Sequence, residues 1–85
     1  MKVLIPSALR SYTESSQAEA GGATLAELLV DLDRQYPGIR FRMINEQDKV
    51  RRHIRIFING EQVDDLAHVL RADDDVAIVQ ALSGG

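Results

Sequence analysis

The sequence contains no cysteine among its 85 residues. Disulfides, thiolate catalysis and Cys-ligated metals are therefore excluded. Long apolar runs are missing too. Stretches such as Val3-Leu4-Ile5 and Leu28-Leu29-Val30 fall far short of the roughly 20 residues that cross a bilayer. Positive charge is in deficit: 10 Lys and Arg stand against 13 Asp and Glu, a net charge of −3. General nucleic-acid binding needs a basic face that displaces counterions from phosphate, so neither a nucleic acid nor a membrane is expected as a partner. The opening Met1-Lys2-Val3-Leu4-Ile5-Pro6 lacks a long h-region and a small-residue cleavage site. It does not read as a secretory signal, and a cytoplasmic protein is expected. His53 and His68 stand alone, so no metal site is expected from them. There is no internal repeat and no low-complexity segment.

What is present is an ordinary globular composition, 45% hydrophobic and 27% charged. The length allows one domain. A chain this short hides only somewhat more than ~60% of its unfolded surface, enough for one sheet layer against one helix and too little for a large substrate cavity. Lys49, Arg51, Arg52 and Arg55 cluster. They read as a solvated loop and strand edge, or more sharply as a docking patch for an acidic partner.

Lys2 to Ile5 reads as a strand, β-branched and apolar, stopped by Pro6. Ser7 to Ser16 is polar and predicts a turn with irregular chain, and Gln17 to Ala20 a second strand pairing back as a hairpin. Gly21-Gly22 breaks the pattern. Thr24 followed three residues later by Glu27 is a capping box, in which each side chain satisfies the other residue's backbone N–H. Leu25, Leu28, Leu29, Leu32 and Tyr36 then form one apolar stripe at helical spacing, and Pro37-Gly38 ends the helix. In the connection from Ile39 to Arg52, residues Ile39, Phe41, Met43 and Ile44 predict a short helical turn, with 45–52 polar and exposed.

From His53 to Ile58 the chain alternates, Ile54, Ile56 and Ile58 to one face, Arg55 and Phe57 to the other. Asn59-Gly60 is a strong hairpin signal because both residues tolerate positive φ. Glu61 to Val63 makes the return strand. Asp64 to Leu70 crosses over with Leu66, Val69 and Leu70 as anchors, Asp73-Asp74-Asp75 forms an exposed turn rather than a cation site, and Val76 to Val79 is the last strand. The order β-β-α-β-β-β predicts an α+β chain of the β-grasp kind: a mixed sheet of four to five strands with one main helix packed across it. The first and last strands are the most continuously apolar, as covered central strands are. The expected organisation is a domain over residues 1–82 and a flexible C-terminal tail over 83–85.

The sequence finishes Gln80-Ala81-Leu82-Ser83-Gly84-Gly85. With glycine near 7% of average usage, two final glycines arise by chance in roughly one chain in two hundred. The alternatives are a frayed tail or a fusion scar. Glycine has no Cβ, so Gly84-Gly85 threads a channel too narrow for other residues. Three residues beyond Leu82 reach about 10 Å when extended, at ~3.3–3.6 Å each. A carboxylate carried clear of the body in this way is open to activation as an acyl-adenylate. Ser83 has no candidate base nearby, and its small size beside the glycines accounts for it.

The whole pattern resembles the ThiS/MoaD family of ubiquitin-like sulfur carriers. The resemblance rests on Thr24-Leu25-Ala26-Glu27-Leu28-Leu29, on Tyr36-Pro37-Gly38, on the hairpin Ile56 to Val63, on the acidic turn before Val76 and on Gly84-Gly85. It implies that an E1-like enzyme spends ATP to adenylate Gly85. A sulfur donor then makes a thiocarboxylate that delivers sulfide to a biosynthetic enzyme. Gly85 carries the sulfur, with Gly84 and Ser83 giving access to it. The carrier has no catalytic residue and binds no cofactor; ATP belongs to the activating enzyme. The insert from Ile39 to Arg52, followed by His53, resembles the carriers of cysteine biosynthesis. Those work with a cysteine-synthase-like enzyme and a metalloprotease that processes the C-terminus.

Two rivals share the fold and the tail: the small subunit of molybdopterin synthase, and a ubiquitin-like modifier conjugated through Gly85. A third reading is a plain interaction module. For docking to the activating enzyme the candidates are Arg55, Phe57 and Val79, with exposed Phe57 as anchor. In the opposing reading Phe57 packs beneath the 39–52 connection.

Overall fold

The computed structural model describes residues 1–81. The expected domain boundary at residue 82 and the tail residues Ser83, Gly84 and Gly85 lie outside the described residues. The elements are β1 (Lys2–Leu4), α1 (Arg10–Thr13), β2 (Gln17–Glu19), α2 (Leu25–Gln35), α3 (Ile39–Met43), β3 (Ile54–Ile58), β4 (Glu61–Gln62) and β5 (Val76–Gln80). The five strands form one mixed sheet in the order β2-β1-β5-β3-β4. β1 and β5 run parallel, while β1–β2, β3–β5 and β3–β4 are antiparallel. The last strand is therefore central.

Helix α2 begins where its orphan N–H groups find acceptors. Thr24 Oγ1 accepts from the Glu27 amide at 3.3 Å. The reciprocal half differs from the expected capping box: Glu27 Oε1 accepts from the Ala23 amide at 3.1 Å, one residue before the cap. The amides of Leu25 and Ala26 are taken by the carbonyls of His68 and Leu66. The crossover after β4 is thus bound to the start of α2 through backbone. Leu25, Leu28, Leu29 and Leu32 are completely buried, and they share one core with Val3, Ile54, Ile56, Val76 and Ile78 from the inner face of the sheet. Met43, Ile39 and Ile44 close one end of that core.

Further expectations are corrected, among them the return strand, which covers Glu61–Gln62 and not Val63. The segment after Pro6 is helical rather than irregular: a 3-10 turn at Ser7–Leu9 leads into α1. Leu9 anchors it by burial, Thr13 Oγ1 donates to the Ser15 carbonyl, and Glu14 stops it at φ 55. A single buried leucine per turn gives no periodic stripe to read. Val69, expected as an anchor, is 71% exposed. It is held through its backbone, in a bridge to Thr24, while Leu70 is buried and Leu66 half-buried. The Asn59-Gly60 hairpin forms as predicted, at φ 52 and 85. Asn59 also receives the Asp75 amide on Oδ1 and donates from Nδ2 to Asp74. That pins the acidic turn to the hairpin.

Candidate functional site

β5 carries the chain to its C-terminal end through the middle of the sheet. Its antiparallel pairing with β3 runs from Ile58↔Val76 to Ile54↔Gln80, and Ala81 then donates its amide to the His53 carbonyl at 2.7 Å. The root of the tail is therefore held by the strand ladder up to the last described residue. Because β1 is parallel to β5, the chain leaving β1 arrives at the same end of the sheet. Ala8, Leu9, Arg42, His53 and Gln80 line a cleft of 260 Å³ there. Arg42 Nε donates to Tyr12 Oη at 2.8 Å, and that hydrogen bond raises the guanidinium pKa further, so Arg42 is a permanent cation.

The inner face of the sheet is taken by the core, which leaves the other face open. Side chains in register share a face. One row across the open face runs Gln17, Leu4, Ala77, Phe57, Gln62, and a neighbouring pair is Arg55 opposite Val79. Leu4 and Val79 are each 44% exposed. Ala77 is small, so Leu4 and Phe57 stand as banks on either side of it, and a shallow trough of 450 Å³ lies between them.

The structure thus brings the three docking candidates, Arg55, Phe57 and Val79, onto one face. Phe57 is half-buried rather than fully exposed. It lines the trough together with Lys2, Leu4, Gln17 and Ala77. Arg55 is positioned by donating to the carbonyls of Arg52 and Ile54. Ser83, Gly84 and Gly85 lie outside the described residues.

Sequence reasoning missed Leu4, Arg42 and Tyr12. Leu4 carried a usable signal, because it alternates with Val3 and Ile5 and so must face away from them. Arg42 and Tyr12 are 30 positions apart, and nothing local joins them. Among the described residues no three His, Asp or Glu side chains converge to hold a metal ion, and no helix is long and apolar enough to cross a membrane.

A five-stranded mixed sheet crossed by one long helix, with the C-terminal strand at its centre, is the ubiquitin-like β-grasp fold. Within that fold the chain belongs to the ThiS family, whose pattern matches residues 3–85 and so runs through Gly84 and Gly85. The sulfur carrier protein CysO of Mycobacterium tuberculosis is 34% identical over 89 residues, spanning 98% of this chain and 96% of the relative. The crystal structure of M. tuberculosis CysO superposes with a TM-score of 0.90 at 32% identity, over 95% of this chain and 98% of that one. The Amycolatopsis orientalis BexX/CysO complex gives a TM-score of 0.90 at 33% identity, over 99% and 98% of the two chains.

Proposed function

We propose that this chain is a sulfur carrier whose Gly85 carboxylate is the working group. An oxygen of that carboxylate attacks the α-phosphate of ATP on an E1-like partner, and pyrophosphate leaves. Hydrosulfide released by a sulfur donor attacks the acyl-adenylate carbon, AMP leaves, and the product is a thiocarboxylate. Its sulfur is then delivered as sulfide to a biosynthetic enzyme, one that makes cysteine or another sulfur-containing metabolite. The chain itself supplies no catalytic group and no bound cofactor. It acts in the cytoplasm as a co-substrate. A cysteine-synthase-like acceptor and a metalloprotease that processes the C-terminus complete the proposed set of partners.

The observation that carries this reading is the path of β5. The central strand leads to the glycine pair, and its end is fixed at Ala81 beside an open face with Arg55, Phe57 and Val79. An enzyme that grips that face has the tail root in a known place. Pre-set geometry of this kind converts a diffusive encounter into an oriented one. Full-length similarity to a named sulfur carrier supports the cargo.

The test is the intact mass of protein purified from its native host, before and after brief treatment with a thiol-alkylating reagent. With no cysteine in the chain, fast alkylation reports a terminal thiocarboxylate. Alkylation also separates sulfur-for-oxygen exchange from methionine oxidation, which adds nearly the same mass. Met43 is fully buried, so oxidation falls first on Met1. An alkylated species mapping to Gly85 supports the carrier. A plain carboxylate throughout, with Gly85 recovered on target lysines, replaces the carrier with a protein modifier.

A further inference from the structure

Lys49, Arg51, Arg52 and Arg55 fall within one short run, and no acidic residue lies between Asp48 and Glu61. The fold gathers the run around a single groove of 520 Å³, lined by Lys49, Arg51, Arg52, Arg55, Gln62 and Asp64. Among the described residues the ion pairs are Met1–Glu19, Arg34–Asp31 and Arg40–Asp48, and none of the four cations takes part. Two of them are instead positioned by neutral groups. Arg51 Nε donates to the Phe41 carbonyl at 2.7 Å, and its guanidinium lies 4.7 Å from the centre of the Phe41 ring. Arg55 donates to the Arg52 carbonyl. Such contacts fix a guanidinium without neutralising it.

A chain of net charge −3 therefore holds four neighbouring cations that make no ion pair among the described residues, two of them pre-set in orientation. Pre-set arginine forks match carboxylates and lose little freedom on binding them. The basic run is bounded in sequence by Glu46 and Asp48 before it and Glu61 and Asp65 after it, and Asp64 lines one part of the groove. Four cations on a chain of net negative charge match a short run of carboxylates rather than the continuous charge of a nucleic acid, one per ~1.7 Å of duplex. The groove adjoins the open face through Arg55, which stands opposite Val79.

We infer that this groove docks an acidic segment of a partner protein, one presenting successive Asp or Glu side chains. The inference holds whatever cargo the tail carries, because binding is measured on the unactivated chain. The test is a titration of the isotope-labelled full chain with an oligoglutamate peptide, followed residue by residue by NMR, beside an oligothymidylate of matched charge. The expected shifts centre on residues 49–55 and 62–64. Affinity falls about tenfold in the double variant Lys49→Glu/Arg52→Glu, and again as salt rises and screening shortens. Neither of those two side chains makes a hydrogen bond or ion pair among the described residues, so the variant keeps the fold, which its unchanged shifts elsewhere verify. Lys49→Gln/Arg52→Gln falls between. Shifts scattered over the whole surface, equal affinity in the double variant, or tighter binding of the oligothymidylate in the groove overturns the proposal.

Discussion

Arg55 and Val79 stand directly opposite each other on β3 and β5, two residues before Ala81 gives its amide to the carbonyl of His53. The open face and the start of the tail are thus parts of one rigid ladder. Holding the face locates Ala81, so under the proposed function a substitution on the face alters activation without changing the glycines.

Phe57→Ala is the first substitution that follows from this. Phe57 forms one bank of the trough over Ala77, and aromatic anchors of this kind carry a large share of binding energy. Its loss is expected to lower kcat/KM for activation about 30-fold, the equivalent of ~2 kcal/mol. The reaction is followed as ATP–pyrophosphate exchange with the activating enzyme. A folded variant with an unchanged rate would remove Phe57 from the docking surface.

The two adjacent glycines are expected to differ sharply. A Cβ on Gly22 would come within 2.6 Å of the Leu28 amide nitrogen and 2.8 Å of the Glu27 carbonyl carbon, both backbone atoms of α2. A Cβ on Gly21 meets nothing within 4 Å. Gly22→Ala must push the chain off the helix, at a cost of about 1–3 kcal/mol as in other overpacked sites. Gly21→Ala should leave the urea midpoint nearly unchanged. Equal midpoints for the two variants would contradict this close approach.

What sequence reasoning reached and what it did not divides along the range of the forces involved. The leucine stripe of α2, the Asn59-Gly60 turn and the alternation of β3 are local patterns, and each is found where expected. Gly21-Gly22 was visible only as a break. Which of the pair touches the helix depends on packing between segments, to which composition is blind. Val69 looked like an anchor because it is apolar, yet its backbone rather than its side chain holds the crossover. The docking trio became a site only when β3 and β5 came into register, and Leu4 and Ala77 joined it across strands far apart in the sequence.

The start of α2 carries two exposed caps, one on an amide inside the first turn and one on an amide before it. Thr24→Ala removes the acceptor for the Glu27 amide and should lower stability by about 1 kcal/mol. Glu27→Ala frees the Ala23 amide, which precedes the helix and is not one of its first-turn N–H groups, so its cost should be the smaller. Denaturant titration of both variants decides the order. A larger loss in Glu27→Ala would mean that the acidic charge in the first turn outweighs the cap.

Acid should weaken the fold through two carboxylates held by different means. Asp74 has its pKa lowered from 3.8 first by the Arg71 amide and then by the Asn59 side chain, and Asp31 first by its hydrogen bond to Arg34 and then by the Gly21 amide. A carboxylate whose folded pKa is depressed contributes stability that is present above its unfolded value. That contribution is lost as pH falls through the folded value. The loss for both groups therefore begins near 3.8 and continues below it, and neutral pH lies outside the window. Asp74→Asn and Asp31→Asn should each be less stable than the parent at neutral pH, with the gap closing as pH drops below 3.8. Salt distinguishes the two. At about 1 M the screening length shrinks to ~3 Å, which weakens the exposed Arg34 pairing of Asp31 more than the backbone and amide contacts of Asp74. Urea midpoints across pH at low and high salt provide the measurement. If the Asp31 variant kept its full deficit in high salt, the Gly21 amide rather than Arg34 would be the contact that matters there.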